Sequence, residues 1–402
     1  MRNNNIFSLL GKIGALVGVV IAFVLMFFLA RWMREKFFSK FADKDSVKIV
    51  DGYEGDIPEI EYFKTREEIE AYLNSEVDNG ADGNIHIDID ASFTDDDIKS
   101  FYKSIDPFKG RVKSYITATS TEQDGDGPVL ESAYASVNYD FVRSDEMYVY
   151  DSMKNGKEIP AERKEAAELK EVCEKFLKEE ITESMSDYEK ELAIHDFIIN
   201  SCEYSDVSEA TYQHGAYGAL VKGDAWCEGY SRAAALLLRL CDIDAKLIKG
   251  FVGENPEGKD SNHMWNQVKL GNTWYHLDLT MDDPKRDNPV ICHLYLNVSD
   301  DKMAADRSWD KEKSETCPSM SDNYFVRNKI SFSDDESLQQ YIRSELENGN
   351  RERIECGITS NLDLSDETLY FMFDYENVTN YMKYKLGEEK YESLEIVFNV
   401  QQ

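Results

Sequence analysis

Apolar residues between 227 and 241 recur at helical spacing: Tyr230, Ala234, Leu237, Leu238 and Cys241 share one face and would pack inward. Gly223 and Asp224 supply a turn and an N-cap just ahead of them, which sets Cys227 in the first helical turn. Further on, the period shortens to two. Residues 263–269 and 272–280 read as strands around the turn signal Leu270-Gly271-Asn272. A symmetric hairpin centred between 270 and 271 places His263 directly across from Asp278, with Cβ atoms about 5 Å apart. Trp265, Gln267, Trp274 and His276 would share that face. A one-residue slip would move one partner to the other face. The competing reading is an ordinary amphipathic hairpin in which the two residues merely coincide.

Helical faces also appear at Ala166, Leu169, Val172, Cys173 and Phe176, in a region beginning at Ile159-Pro160, and again from Tyr188 to Ile199. Helices of this kind ordinarily cover a sheet. Two outlying segments, 68–80 and 337–349, align at a constant offset of 269. Tyr72, Ser75, Glu76, Asn79 and Gly80 recur as Tyr341, Ser344, Glu345, Asn348 and Gly349. The apolar positions Ile69, Leu73 and Val77 recur as Leu338, Ile342 and Leu346, spaced along one helical face. Past the glycine, Ile85, Ile87 and Ile89 alternate like a strand, as do Ile354, Cys356 and Ile358. Each copy closes on another alternating strand, Ala135 to Phe141 and Leu394 to Val400. The pattern predicts two related α/β modules around a central core. The alternative is chance likeness of two amphipathic helices.

Near the start, Ile13–Ala30 is an uncharged run of eighteen residues, just long enough to span a bilayer. A cleavable signal peptide is the competitor. Phe28-Leu29-Ala30, however, runs into Arg31-Trp32 without a small-x-small site, and no cysteine stands there for lipidation. A retained single-pass anchor is the better reading, followed by a linker.

The balance of 78 acidic against 45 basic residues, net −33, argues against a nucleic-acid partner, which needs basic surface to neutralise phosphate. The acidic stretches Thr94–Asp97 and Asp124–Gly127 lack the ligand spacing of a calcium loop and read as solvated turns. Six histidines and seven cysteines contain no CxxC or His-x-x-x-His pair, and adjacent Cys292 and His293 would face opposite sides of a strand. No metal and no other cofactor is expected. His195 reads as a core histidine. Asn297-Val-Ser299 and Asn377-Val-Thr379 match a glycosylation pattern that is common by chance.

The chemistry lies in Cys227, His263 and Asp278. A thiol attacks as its thiolate, which a neighbouring imidazolium stabilises while a carboxylate fixes the imidazole tautomer. Unpaired N–H groups in a first helical turn favour an anion and would suit the oxyanion of a tetrahedral intermediate. An isolated cysteine would be read as a small buried hydrophobe. In this company Cys227 reads as a nucleophile.

These residues stand in Trp226-Cys227-Glu228-Gly229-Tyr230, His263-Met264-Trp265-Asn266 and Trp274-Tyr275-His276-Leu277-Asp278-Leu279-Thr280, followed by Asp282-Asp283-Pro284. The ordered set resembles the bacterial transglutaminase-like superfamily, a relative of papain-type cysteine proteases. Tyr188–Phe197 and Ala216–Leu220 look like the family's lead-in helix and pre-nucleophile segment. Trp226 and Met264 depart from its commoner small residues without removing a catalytic atom. The resemblance spans residues 185–300 at most. It implies Cys227 as nucleophile, His263 as general base and then acid, and Asp278 as orienting carboxylate. It also implies acyl chemistry on amides through a thioester, and leaves open whether water or an amine resolves it.

The expectation is an α+β protein with a transglutaminase-like, papain-related core flanked by two small α/β modules and preceded by one transmembrane helix. Its parts are 1–45 anchor and linker, 46–150 N-terminal module, 151–310 core and 325–402 C-terminal module. The function expected is a thiol acyl-transfer enzyme, either peptidase or amidase or transglutaminase. The alternative is a non-catalytic cell-surface protein that uses the core as scaffold. Expected partners are a peptide or protein substrate and the membrane through residues 13–30. The modules are open to binding substrate, contacting cell-wall material or packing on the core. Arg31, Arg34, Lys36 and Lys40 after the span outnumber Arg2 and Lys12 before it, which alone would keep the domain cytoplasmic. Anchored proteins resembling this family are usually at the cell surface, and that favours an extracellular placement.

Overall fold

The computed structural model describes residues 47–48, 62–119, 131–132, 134–205, 210–253, 262–283, 291–349, 353–359, 378–386 and 391–398. The chain separates into two compact units, residues 1–105 with 111–143 and residues 106–110 with 144–402.

In the first unit, helix α1 (Arg66–Asp78) starts at a capping box. Thr65 Oγ1 accepts from the Glu68 N–H, and the Glu68 carboxylate accepts from the Thr65 N–H. Ile69, Leu73 and Val77 are fully buried. Gly80, at φ +101°, lets the chain reverse into β1 (Gly83–Asp90), where Ile85, Ile87 and Ile89 alternate inward. Helix α2 (Asp95–Phe101) is capped by Thr94, so the acidic run Thr94–Asp97 is a helix start. Strands β2 (Gly110–Thr119) and β3 (Tyr134–Arg143) complete a sheet of order β1-β3-β2, and Phe63 makes a parallel bridge to Ile89.

The second unit opens with α3 (Asp145–Asn155), a helix absent from the sequence pattern and started by a Ser144 cap. Helix α4 (Lys164–Glu180) begins after the Ile159-Pro160 expected to open it, because Pro160–Arg163 closes a turn first. Then come α5 (Asp187–Ser201), the short parallel pair β4 (Glu203–Tyr204) and β5 (Asp224–Ala225), and α6 (Cys227–Leu240). Helix α6 is buried well beyond its apolar face. Every residue from Gly229 to Leu238 is buried, because α3, α5 and a sheet surround it.

That sheet contains β6 (Ala245–Val252), β7 (His263–Leu270), β8 (Thr273–Leu277), β9 (Leu296–Val298) and β10 (Arg307–Trp309) in the order β9-β8-β7-β6-β10. Every neighbouring pair is antiparallel. The one-turn helix α7 (Leu279–Asp282) follows β8 and is capped by Asp278. The hairpin register differs from expectation. Leu270 pairs with Thr273 and Asn266 with Leu277, so opposed numbers sum to 543 rather than 541. The turn is Gly271-Asn272, with Gly271 at φ +59°, one residue beyond the predicted centre. A shift of two in the sum keeps His263 and Asp278 on one face but sets them diagonally.

Beyond the core, β11 (Ser331–Phe332), α8 (Asp335–Glu347), β12 (Arg353–Thr359), β13 (Val378–Leu386) and β14 (Tyr391–Phe398) form a sheet of order β11-β12-β14-β13. Its pairings reproduce those of the first unit. Phe332 lies parallel to Ile358 as Phe63 does to Ile89, again at an offset of 269. The aromatic contact Phe63–Tyr72 (5.1 Å) returns as Phe332–Tyr341 (5.0 Å). Leu338, Ile342, Ile354, Cys356 and Ile358 are buried like their counterparts, and Gly349 takes φ +89°.

Among the described residues no helix is long and apolar enough to cross a membrane; the expected anchor Ile13–Ala30, Asp124–Gly127 and Asn377 lie outside them. Asn297 is buried at φ +62° and donates to Glu191, so it is no surface acceptor for glycan.

Gly250 on β6 has no room for a side chain, since a Cβ there would come within 2.4 Å of both Ser308 O and the Trp265 ring. Gly250→Ala should therefore destabilise the second unit by about 1–3 kcal/mol through overpacking. An unchanged urea midpoint would refute this reading.

Candidate active site

Cys227 is the first residue of α6, and the extended residue before it is Trp226 rather than the expected Asp224 cap. Asp224 instead pairs in β5 and accepts from Gln213 and Tyr212. The helix start is pressed against the 213–215 turn. At Gly229 a Cβ would lie 2.6 Å from Gln213 O, so glycine is required by close approach. Trp226 packs edge-on to His214, whose Nδ1 lies 3.1 Å from Glu228 Oε2. Glu228 also accepts from Arg232, which reaches buried Glu146 on its other side.

Two bonds fix the helix against β7. Ser231 Oγ lies 3.0 Å from Met264 O, and Asn266 Nδ2 donates to Ser231 O at 2.9 Å. His263 begins β7 beside this contact. Its Nε2 is 2.8 Å from Asp278 Oδ2, so Nδ1 is the nitrogen left for the Cys227 thiol. Burial alone would depress the His263 pKa. The Asp278 carboxylate, and after it the Cys227 thiol, outweigh burial and raise it to about 9.

Asp278 is fully buried. Burial alone would raise its carboxyl, but the His263 ring and then the Arg307 guanidinium hold it below the usual carboxylate range. Arg307 on β10 donates from Nη2 to the same Oδ2 at 3.0 Å, lies over the Tyr295 ring and donates from Nη1 to Asp306. The sequence reading missed Arg307. It stands 29 residues beyond Asp278 in a three-residue strand, and no local pattern marks it.

Trp265 forms a wall against His263, with ring centroids 5.9 Å apart and planes 25° apart. Its indole N–H donates to His276 Nδ1 at 2.9 Å, so the His276 proton sits on Nε2, which donates to Asp300 at 2.9 Å. Burial lowers the His276 pKa, consistent with a neutral ring that positions Trp265. Tyr230, in the nucleophile motif, donates to Asp283 in the acidic tail at 2.5 Å. The three expected site residues thus converge, with Arg307 joining them. His276 supports the site at one remove, and His195 lies in a separate buried cluster.

Residues 175–279 match the model of the transglutaminase-like superfamily, so this stretch is a transglutaminase-like domain. The likeness read from the Cys227, His263 and Asp278 motifs thus meets a family of papain-like thiol enzymes, acyltransferases or proteases in general. Two solved structures are similar in part. One is a transglutaminase, 15% identical with a TM-score of 0.23, covering 49% of this chain and 50% of that one. The other is the periplasmic domain of TgpA from Pseudomonas aeruginosa bound to ethylmercury, 16% identical with a TM-score of 0.22, covering 42% and 65%. The chain therefore spans about half of the first and under two thirds of the second. No curated protein matches it.

The raised His263 pKa has a definite stability signature. The folded value lies above the ordinary 6.5, so the ion pair contributes fully below pH 6.5 and is lost as pH rises through about 9. The contribution is on the order of 3 kcal/mol. Denaturation at pH 7 and pH 10 should reveal this loss, and Asp278→Asn should shrink it. A His263 imidazole NMR signal titrating near 6.5 would sink the assignment.

Proposed function

We propose that the chain is a membrane-anchored thiol acyl-transfer enzyme acting on amide bonds of peptides or proteins, as a peptidase or amidase or as a transglutaminase. Cys227 is the nucleophile, His263 the base and then acid, and Asp278 the orienting carboxylate. The observation that carries this reading is the 2.8 Å bond from His263 Nε2 to Asp278, which leaves the other ring nitrogen for Cys227. With His263 already an imidazolium, the attacking form is the Cys227 thiolate paired with that ring, its own proton having gone to solvent. The thiolate adds to the amide carbonyl, and the C–N bond breaks as the imidazolium protonates the departing amine. A thioester remains. Water or an amine then adds to it and yields its proton to His263, and the sulfur leaves as thiolate. Helical N–H groups at the start of α6 suit the oxyanion formed at each addition.

Arg307 belongs to this reading as a positioning residue that keeps the Asp278 carboxylate ionised. The anchor is Ile13–Ala30, with the catalytic part outside the cell. The two flanking segments with matching sheets are modules available to hold substrate or cell-wall material, or to pack on the core.

Cys227 is the one cysteine of the seven that is not buried. Iodoacetamide should therefore label it first in the full-length protein in detergent, and His263→Ala should slow that labelling markedly. With peptide substrates, Cys227→Ala should lower turnover by at least about 10³-fold. Hydroxylamine should trap the acyl group only in the parent protein. Equal labelling of Cys227 with and without His263, and no trapped acyl group, would favour the scaffold role. Added primary amine then separates the two chemistries, since incorporation marks a transglutaminase and release of free acid a hydrolase.

A further inference from the structure

We propose that His195, Asp196 and His293 bind a single divalent first-row transition ion, with zinc the ion best suited to the donor set. The ligand atoms, one nitrogen of each histidine and one carboxylate oxygen, all lie within 4.8 Å of one another. Asp196 Oδ1 is 2.9 Å from His195 Nδ1 and 3.0 Å from His293 Nε2. Tetrahedral zinc, with bonds of about 2.0–2.2 Å, spaces its ligands roughly 3.3 Å apart. The two Asp196 contacts therefore need to open only slightly to admit it, and the two ring nitrogens stand within 4.8 Å of each other.

Two further observations distinguish this cluster from a chance meeting of polar groups. Each imidazole is held at its outer nitrogen by a buried carboxylate. His195 Nε2 lies 3.2 Å from Asp282 Oδ2, and His293 Nδ1 lies 2.9 Å from Glu355 Oε2. A metal-ligating imidazole ordinarily donates its other N–H in this way, which fixes its tautomer and aims the free lone pair at the ion. The exposures are also unequal. Both histidines and both outer carboxylates are buried, while the Asp196 side chain is 39% exposed. Solvent thus has access on the Asp196 side, where a water can fill the fourth position.

The sequence argued against zinc because no CxxC or His-x-x-x-His pair exists. The fold supplies what spacing did not, bringing His293 from beyond β8 to the face of α5 that carries His195 and Asp196. The outer carboxylates set the role of the ion. Asp282 ends α7, which Asp278 caps, and Glu355 lies on β12. An ion here ties the C-terminal sheet and the segment after the catalytic aspartate to α5, so its role is structural and independent of Cys227.

The competing occupant is protons, each ring then donating to carboxylates on both sides. Metal titration separates the two. Full-length protein carrying Cys227→Ala, so that the reactive thiol does not compete, is stripped with EDTA and titrated with Co²⁺ and then Zn²⁺. The expected result is one Co²⁺ per chain with visible d–d absorption, displaced by Zn²⁺, and a higher Tm for the zinc form. Asp196→Asn keeps shape and hydrogen bonding at the partly exposed position. It should weaken zinc binding at least about 100-fold, and Glu355→Gln about 10–100-fold. Circular dichroism of the metal-free variants confirms that they are folded. Absence of stoichiometric binding, or zinc affinity unchanged by Asp196→Asn, would overturn the site and leave a proton-paired network.

Discussion

A carboxyl buried as deeply as Asp278 stays ionised only where cations close around it, because an unpaired charge in that position costs several kcal/mol. Two cations do so at one oxygen, His263 from β7 and Arg307 from β10. Those strands lie on either side of β6, so the charge arrangement exists only when the antiparallel sheet is fully assembled. The dependence runs both ways. Asp278 also caps α7, and that turn leads to Asp282 and Asp283. Asp283 receives the Tyr230 hydroxyl from the nucleophile helix. One ionised group therefore fixes the protonation of the base, the course of the chain after β8 and, through its neighbours, the seating of α6.

Much of what stands around the reactive atoms is packing hardware. In the stretch that begins at Cys227, Gly229 permits contact with the 213–215 turn and Ser231 bridges to β7. Asn266 answers that bridge from the strand. Trp265 is wedged against Gly250 and buttressed by His276 and Asp300, which holds the His263 ring in one plane. A nucleophile and a base carried by different elements can be held to hydrogen-bond tolerance only if both elements are locked to each other. The short motifs contain the lock as well as the key atoms.

This explains what was legible in the sequence. Side-chain alternation has period two, so a hairpin register wrong by two in its sum still puts His263 and Asp278 on one face. The turn residue was misjudged because Leu270-Gly271 and Gly271-Asn272 are both plausible centres. The positive φ at Gly271 decides between them only in three dimensions. Helix α6 was read by one apolar face, yet Ser231, Arg232, Ala233 and Ala235 off that face are buried too, because the elements that cover them come from distant parts of the chain. Arg307 and the pairing of His195 with His293 were beyond reach. Each is a long-range contact between residues whose local surroundings look ordinary, and only the closed sheet makes them partners.

The two small sheets show how the same constraint acts differently on the two faces of a strand. Positions that face inward repeat: Ile85, Ile87 and Ile89 correspond to Ile354, Cys356 and Ile358, all buried. The parallel pairing of Phe63 with Ile89 and of Phe332 with Ile358 keeps the same register. The position between the first two inward residues diverges. In the first unit it is His86, whose Nδ1 meets Asn138 at 2.9 Å within its own sheet. In the second it is Glu355, buried and turned to His293 of the core. An inward substitution would have to be accommodated by the α-helix packed over the sheet, whereas an outward one meets only what lies outside. A scaffold can thus keep its pairings and acquire a new attachment through one residue, and Glu355 joins the C-terminal sheet to the network that surrounds Asp282.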